Sequence, residues 1–159
     1  MASGQTVAVR TLPLLENAVE QAASSLNCTG TRALRVLLHA GISSLFPAIK
    51  AKPDKHIRGF ETCIAALQRR WEAPAAGCSA DPDVVALFRA LDGQVASFLQ
   101  LCADRSGTMW IEPLDSIAAY ALAVVHGSVL RWLADCNDET TLVVLDDLVS
   151  CLAAKAVDR

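Results

Sequence analysis

The sequence lacks the signatures of most enzymes and metalloproteins. Its six cysteines are at least 15 residues apart, so no CxxC pair is present to build a zinc ribbon, a thioredoxin-like redox site or an iron–sulfur cluster. His39 and His56 share no helical spacing with Cys, Asp or Glu that indicates a metal site. We find no catalytic motif either. The sequence therefore predicts a non-enzymatic protein with no catalytic residues, no metal and no cofactor.

Charge, aromatic residues and long apolar runs are also scarce. Charged residues make up 19% of the 159 residues and aromatic residues 5%, against 53% hydrophobic residues, which excludes a disordered chain. The N-terminal residues predict no secretory leader, and the most apolar segment, residues 114–134, is interrupted by Asp115, His126 and Arg131. We therefore expect no membrane span, a cytoplasmic location and cysteines that are mostly buried and unpaired.

The small net charge of −3 conceals two halves of opposite sign. Residues 1–72 contain nine Lys and Arg against five Asp and Glu, a net charge of +4. Residues 73–159 contain five Lys and Arg against twelve Asp and Glu, a net charge of −7. This asymmetry permits contact with a polyanion such as DNA through residues 1–72 only; ordinary variation of surface charge is the alternative explanation.

Helix-forming residues dominate what is present. Ala and Leu are abundant, runs of β-branched residues are missing, and short segments with Gly, Pro, Asp or Asn separate the helical patterns. The sequence predicts an all-α, single-domain bundle of about seven helices around a central apolar helix at about residues 114–134. The predicted helices cover about residues 11–26, 31–39, 43–50, 54–71, 81–103, 114–134 and 138–154.

Two stretches of the chain resemble the TetR-type transcriptional regulators, a family of all-α dimers. Residues 40–43, Ala-Gly-Ile-Ser, resemble the turn of that family's helix–turn–helix, at the family's distance from residue 18. Residues 53–55 resemble the start of its fourth helix, and residues 107–152 resemble the last helices of its ligand-binding domain. The segment after the turn is apolar and contains Pro47, so the helix–turn–helix that the resemblance implies is degenerate.

The resemblance implies a regulator that senses a small apolar ligand, with residues 1–58 as the degenerate helix–turn–helix portion and residues 59–159 as the ligand-binding and dimerisation portion. Aromatic side chains and one histidine on the later helices are candidates for an apolar ligand cavity. Packing in the core is the alternative role for them. These candidates are Phe88, Phe98, Trp110, Tyr120, His126 and Trp132.

Two further surfaces are predicted. The candidate nucleic-acid contacts lie at the degenerate helix–turn–helix and in the basic stretch that follows it: Ser43, Ser44, Lys50, Lys52 and Lys55. The candidate homodimer interface is the apolar stripe of the last helix, and the alternative is that this stripe packs against the chain's own core. Its residues are Leu142, Leu145, Leu148, Val149 and Leu152.

A second family provides the alternative function. Residues 35–41, Arg-Val-Leu-Leu-His-Ala-Gly, loosely resemble the BH3 pattern of the apoptosis regulators, which are intracellular helical bundles. That resemblance implies a protein–protein interaction module with a hydrophobic groove for the amphipathic helix of a partner.

Overall fold

A computed structural model describes residues 11–72 and 80–159 of the chain. These residues form six α-helices and two short β-strands. In chain order the elements are α1 (Thr11–Ser24), α2 (Gly30–Ala51), α3 (Pro53–Glu72), α4 (Pro82–Ser106), β1 (Thr108–Trp110), α5 (Leu114–Asp135), α6 (Asp138–Ala153) and β2 (Ala156–Asp158). The predicted all-α class is confirmed. In the part of the chain described, however, the helices number six, because two of the predicted seven are a single helix.

The merged helix is α2, which continues without a break through residues 40–43. The predicted turn there, and the separate helices over residues 31–39 and 43–50, are wrong. Gly41 is buried and helical, and a Cβ at this position would lie 2.3 Å from Cε2 of Phe98 on α4. Glycine at residue 41 therefore allows two helices to approach closely, whereas the sequence alone suggests a turn.

The hydrophobic core surrounds α2, which packs against α1, α4 and α6. Leu34, Leu37 and Leu38 of α2 are fully buried, in one cluster with Leu99 of α4 and Leu152 of α6. The expected central position of the helix over residues 114–134 is not confirmed. The observed α5 buries one side against α4 and α6 and leaves the other side exposed, so its apolar composition does not place it at the centre.

The predicted start of α4 is confirmed in detail. Oδ1 of Asp81 accepts hydrogen bonds from the backbone N–H groups of Asp83 at 2.9 Å and Val84 at 3.1 Å, and Pro82 occupies the first turn. The helix continues through Gly93, where a Cβ would meet no atom within 4 Å, so this glycine marks neither a break nor a close contact.

A two-stranded antiparallel ribbon, which the sequence does not predict, joins β1 to β2, with Met109 opposite Val157. Each strand has only three residues, too few for an alternating pattern to be recognised. The ribbon carries Asp158 to the start of α2, where its Oδ1 accepts a hydrogen bond from the Thr31 N–H at 2.7 Å. Gly30, at φ +72°, lies so close that a Cβ would be 2.6 Å from that oxygen.

The connection between α5 and α6 is tight, as the sequence predicts. Cys136 ends α5 in a left-handed conformation, with φ 52°, which is uncommon for a residue other than glycine. The side chain of Asn137 caps α6 by accepting a hydrogen bond from the Thr140 N–H at 2.9 Å. Only Cys136 and Asn137 separate the two helices, which pack against each other.

Two of the helices, α4 and α5, are long and apolar enough to cross a membrane by length and composition alone. Core helices of soluble proteins pass the same test, so this finding is weak support for a membrane location.

Five of the six cysteines lie in the described part of the chain, and all five are free. The prediction that most are buried is wrong, because only Cys102 is buried. Cys28 and Cys63 are half-buried, and Cys136 and Cys151 are exposed. Burial strongly raises the pKa of the Cys102 thiol, which keeps it neutral. Cys78 lies outside the described residues.

Candidate functional site

One side of α3 presents large apolar side chains to solvent. Ile57, Ile64 and Trp71 follow one another at intervals of seven residues, which places them along one line of a helix, and Leu67 lies beside them. The exposed fractions are 44% for Ile57, 52% for Ile64, 44% for Leu67 and 73% for Trp71. We call these four residues the apolar face of α3.

The attachment of α3 to the bundle is weak. Ala66 is the only buried residue of this 20-residue helix, Cys63 beside it is half-buried, and Phe60 is half-buried between Ile57 and Ile64 at the border of the apolar face. The helix packs against α2 and α5. The Cζ atom of Arg70 lies 5.0 Å from the ring centroid of Trp71 and helps to orient that ring. The apolar face is thus presented by a helix that contributes little to the core.

A cluster of rings joins α3 to α4 and α5. The ring of His126 on α5 lies 6.1 Å from Phe60 of α3 and 6.2 Å from Phe88 of α4, in both cases edge to face. His56, one turn before Phe60 on α3, is half-buried. We call His56, Phe60, Phe88 and His126 the histidine junction.

Burial lowers the pKa of both histidines of this junction. For His56 the desolvation is reinforced by the charges of Lys55 and His126, whereas for His126 it is partly opposed by the carboxylate of Asp92 on α4. Both rings therefore favour the neutral form while α3 is packed.

The six residues predicted to line a ligand cavity do not gather in one place. Phe88 and His126 meet in the histidine junction. Phe98 is buried against Gly41, and Trp132 is buried edge-on against Phe46 at 6.0 Å. Their packing assigns Phe98 and Trp132 to the core, the alternative that the sequence also allows.

The other two cavity candidates lie at the surface or on the ribbon. Tyr120 is 39% exposed, with Nζ of Lys155 5.7 Å from its ring, and a hydrogen bond with Cys151 is the main cause that raises its pKa. Trp110 is half-buried on β1, and its Nε1 has no hydrogen-bond partner. Neither ring takes part in the ring contacts of the histidine junction.

Two shallow grooves instead follow the boundary between α2 and α6. One, of about 430 Å³, is lined by Thr31, Arg32, Arg35, Ala153 and Ala154. The other, of about 520 Å³, is lined by Arg35, Val36, His39, Asp146, Asp147, Val149 and Ser150. Both are open to solvent, and none of the six cavity candidates lines them.

Most of the predicted nucleic-acid contacts are engaged within the chain. Oγ of Ser43 lies 3.3 Å from Nδ1 of His39, and Oγ of Ser44 donates to the Gly41 carbonyl at 2.6 Å. Nζ of Lys50 forms an ion pair with Oδ2 of Asp138. That ion pair and the Trp132 indole N–H, 2.8 Å from Oδ1, lower the pKa of the Asp138 carboxyl. These contacts take up the charge of Lys50.

The remaining two candidates are Lys52 and Lys55, which lie where α2 joins α3. Lys52 is exposed and Lys55 half-buried. Of the five predicted nucleic-acid contacts, Lys52 and Lys55 are therefore the two that remain for a basic surface.

The predicted dimer interface is corrected for four of its five residues. Leu145, Leu148, Val149 and Leu152 are buried in the chain's own core, with exposed fractions of 0–5%. A side chain that the same chain covers presents no surface to a second copy. Leu142, at 49%, remains exposed, next to Val143 at 55%.

The helix α3 is predicted from the sequence, but its apolar face is not. A detectable signal is present: large apolar residues recur at intervals of seven from Ile57 to Trp71, while the opposite side of the same helix contains Arg58 and Arg69. That spacing predicts an amphipathic helix; it does not reveal that a neighbouring face, centred on Ala66, is the one that the bundle covers.

No protein-family model matches the chain, and neither a curated protein nor a solved structure matches it. Within residues 11–72 and 80–159, no group of three or more His, Cys, Asp or Glu side chains is arranged to hold a metal ion. The function is therefore argued from the geometry of this chain alone.

Proposed function

We propose that the protein is a non-enzymatic helical interaction module that holds the amphipathic helix of a partner protein against α3. The observation that carries this proposal is the apolar face of α3, four large side chains that are 44–73% exposed along one line of a weakly packed helix. Contiguous exposed apolar surface of this kind is typical of sites where another molecule binds. Packing of a partner helix against such a surface is a common way to bury it.

The apolar face can contribute a large part of the free energy of binding to a partner. Full burial of one large apolar side chain is worth about 1.5–3 kcal/mol relative to leaving it exposed. Tryptophan is among the residues that most often dominate binding energy at interfaces. The 73% exposed fraction of Trp71 leaves most of its contact area available to a partner. We therefore place the energetic centre of the interface at Trp71 and Ile64.

The charges beside the apolar face indicate the chemistry of the partner. Asp54, Glu61 and Glu72 are separated by seven and eleven residues, so they lie along one edge of the helix, adjacent to Ile57 and Ile64. None of the ion pairs within the described residues includes them. A partner helix with an apolar face and Lys or Arg along the matching edge would complement this arrangement.

The geometry supports the interaction module better than the ligand-sensing regulator. The regulator needs a cavity and a helix–turn–helix, whereas the aromatic candidates are dispersed and α2 is continuous. A cytoplasmic location is part of the proposal. Its support is that the five described cysteines are free, as expected in a reducing compartment.

The proposal is tested with a synthetic helical peptide that has a Leu and Ile face and a Lys-rich edge. Binding of the fluorescently labelled peptide to the full chain is measured by anisotropy. We expect Ile64→Asp and Trp71→Ala each to weaken binding by about 30-fold or more, the effect typical of interface hot spots. The matched control is Ile111→Asp, which changes an isoleucine of similar exposure, 59%, away from α3.

A charge-reversal experiment tests the orientation of the peptide. Glu61→Lys should weaken binding of the Lys-edged peptide and strengthen binding of an otherwise identical Glu-edged peptide. Equal binding by wild type, Ile64→Asp and Trp71→Ala would overturn the proposal. An equal loss of binding in Ile111→Asp would also overturn the proposal, because the peptide would then bind nonspecifically to exposed apolar residues.

A further inference from the structure

The histidine junction links α3 to α4 and α5 through side chains. Ala66 is the only buried residue of α3, and the edge-to-face contacts of His126 with Phe60 and Phe88 bridge the three helices. Such a helix belongs to the low-stability end of a fold, where local opening costs little free energy. A small change in the junction can therefore shift α3 between a packed and a released state.

Protonation adds positive charge to this junction. His56 lies one turn before Phe60 on α3, His126 contacts the Phe60 ring from α5, and Lys55 adds a third positive group on the α3 side. Asp92 on α4 is the acidic group that faces His126, and it compensates for only part of the charge. The Cys63 thiol on the same side of α3 has a pKa raised by burial and contributes no negative charge.

We propose that acidification releases α3 from the bundle by placing positive charge on both His56 and His126 within the histidine junction. Released α3 is a single 20-residue helix without tertiary support, which is marginally stable in water. Its apolar face then loses the order that a partner helix needs. This inference rests on the proposed function for its consequence, weaker partner binding in acid, but the release itself does not.

The sign of the effect follows from linkage. Both histidines have a lowered pKa while α3 is packed, so the released state binds protons more readily. The packed state is fully favoured above the ordinary histidine pKa of about 6.5 and loses its advantage as the pH falls below that value. Each histidine can raise the opening equilibrium by at most about tenfold per pH unit, and the two together by about a hundredfold.

The test is hydrogen exchange of the full chain without any peptide, followed by mass spectrometry. Exchange of residues 53–72 is compared between about pH 8 and about pH 5 after correction with an unfolded reference peptide. We expect wild-type α3 to lose at least about tenfold in protection at the lower pH, while α6 keeps its protection. The double variant His56→Gln with His126→Gln should show no such loss.

The matched control is His39→Gln, which removes the exposed histidine beside Asp146 and should respond to pH as wild type does. Equal protection of wild-type α3 at both pH values would overturn the inference, as would a full acid response in the double variant. If the double variant does not fold, an NMR titration of the wild-type histidines decides instead. His56 and His126 must then titrate below the ordinary histidine pKa of about 6.5, and titration at or above that value refutes the inference.

Because exchange is measured without a partner, its result stands apart from the peptide experiment. Failure of peptide binding together with acid-induced exchange would reject the proposed function and keep the release of α3. Peptide binding and exchange that are both unchanged between the two pH values would keep the proposed function and reject the release of α3.

Discussion

The contact between Gly41 and Phe98 makes a sharp test of the fold, because the same glycine marks a turn in the sequence-based interpretation. A Cβ at residue 41 would lie 2.3 Å from Cε2 and 2.7 Å from Cζ of Phe98, closer than carbon atoms approach without displacement. The variant Gly41→Ala must therefore push α2 and α4 apart or force the Phe98 ring out of its rotamer. We expect it to destabilise the protein.

Two opposing terms set the magnitude. Inserting a methyl group into a packed helix contact costs about 1–3 kcal/mol. Replacing glycine by alanine within a helix stabilises the folded protein by about 1 kcal/mol. The net loss for Gly41→Ala should then be up to about 2 kcal/mol. Gly93→Ala, in the interior of α4 with no atom within 4 Å of the added Cβ, isolates the second term and should stabilise by about 1 kcal/mol.

Urea unfolding followed by circular dichroism measures both variants, and a double-mutant cycle with Phe98→Leu completes the assay. Leucine lacks the ring atoms that the new methyl group would strike, so Gly41→Ala should cost at least about 1 kcal/mol less in the Phe98→Leu background. A Gly41→Ala variant as stable as Gly93→Ala, or a cycle with no coupling, would refute the close contact and reopen the turn at residues 40–43.

Three further predictions concern the ends of elements and the exposed surface. Cys136→Gly should stabilise the protein by about 0.5–1 kcal/mol in thermal unfolding, because glycine adopts φ 52° without the cost that a Cβ adds; a destabilised variant would contradict this. Asp158→Asn should destabilise the protein by about 0.5 kcal/mol, because the acceptor for the Thr31 N–H loses its charge. Asp158→Ala should destabilise it by about 1 kcal/mol, because the acceptor is lost altogether. Two variants as stable as wild type would show that water replaces this cap. Leu142→Glu with Val143→Glu should leave stability unchanged and convert any dimer seen by sedimentation to monomer; a dimer that survives the change uses another surface.

The parts of the fold that the sequence predicts well are those with local causes. Asp81 and Pro82 place the start of α4 because a carboxylate cap and a proline act within one turn of the chain. Gly41 misleads for the opposite reason: a glycine suits both a turn and a close helix contact, and Phe98, 57 positions later, decides between them. The ribbon forms between residues that are about 50 positions apart, so no local sequence pattern predicts it.

The candidate site was predictable only in pieces. The sequence singles out His126 and Phe88, yet it cannot show that they meet Phe60 and His56, which come from a helix on another part of the chain. It also favours Leu145 and Leu152 as an interface, because a buried stripe and a docking stripe have the same helical spacing. Burial, which separates the two cases, is a property of the assembled bundle.

The cap that Asp158 provides for α2 also affects how the chain is made. Thr31 and Asp158 are 127 positions apart, so α2 remains without this cap until nearly the whole described chain has left the ribosome. Until then β1 has an unpaired edge as well, and both features expose a nascent chain to wrong pairing. The capping of α2 is thereby tied to synthesis of β2, and a truncated chain that lacks residues 156–158 would leave the Thr31 N–H without this acceptor and the edge of β1 unpaired.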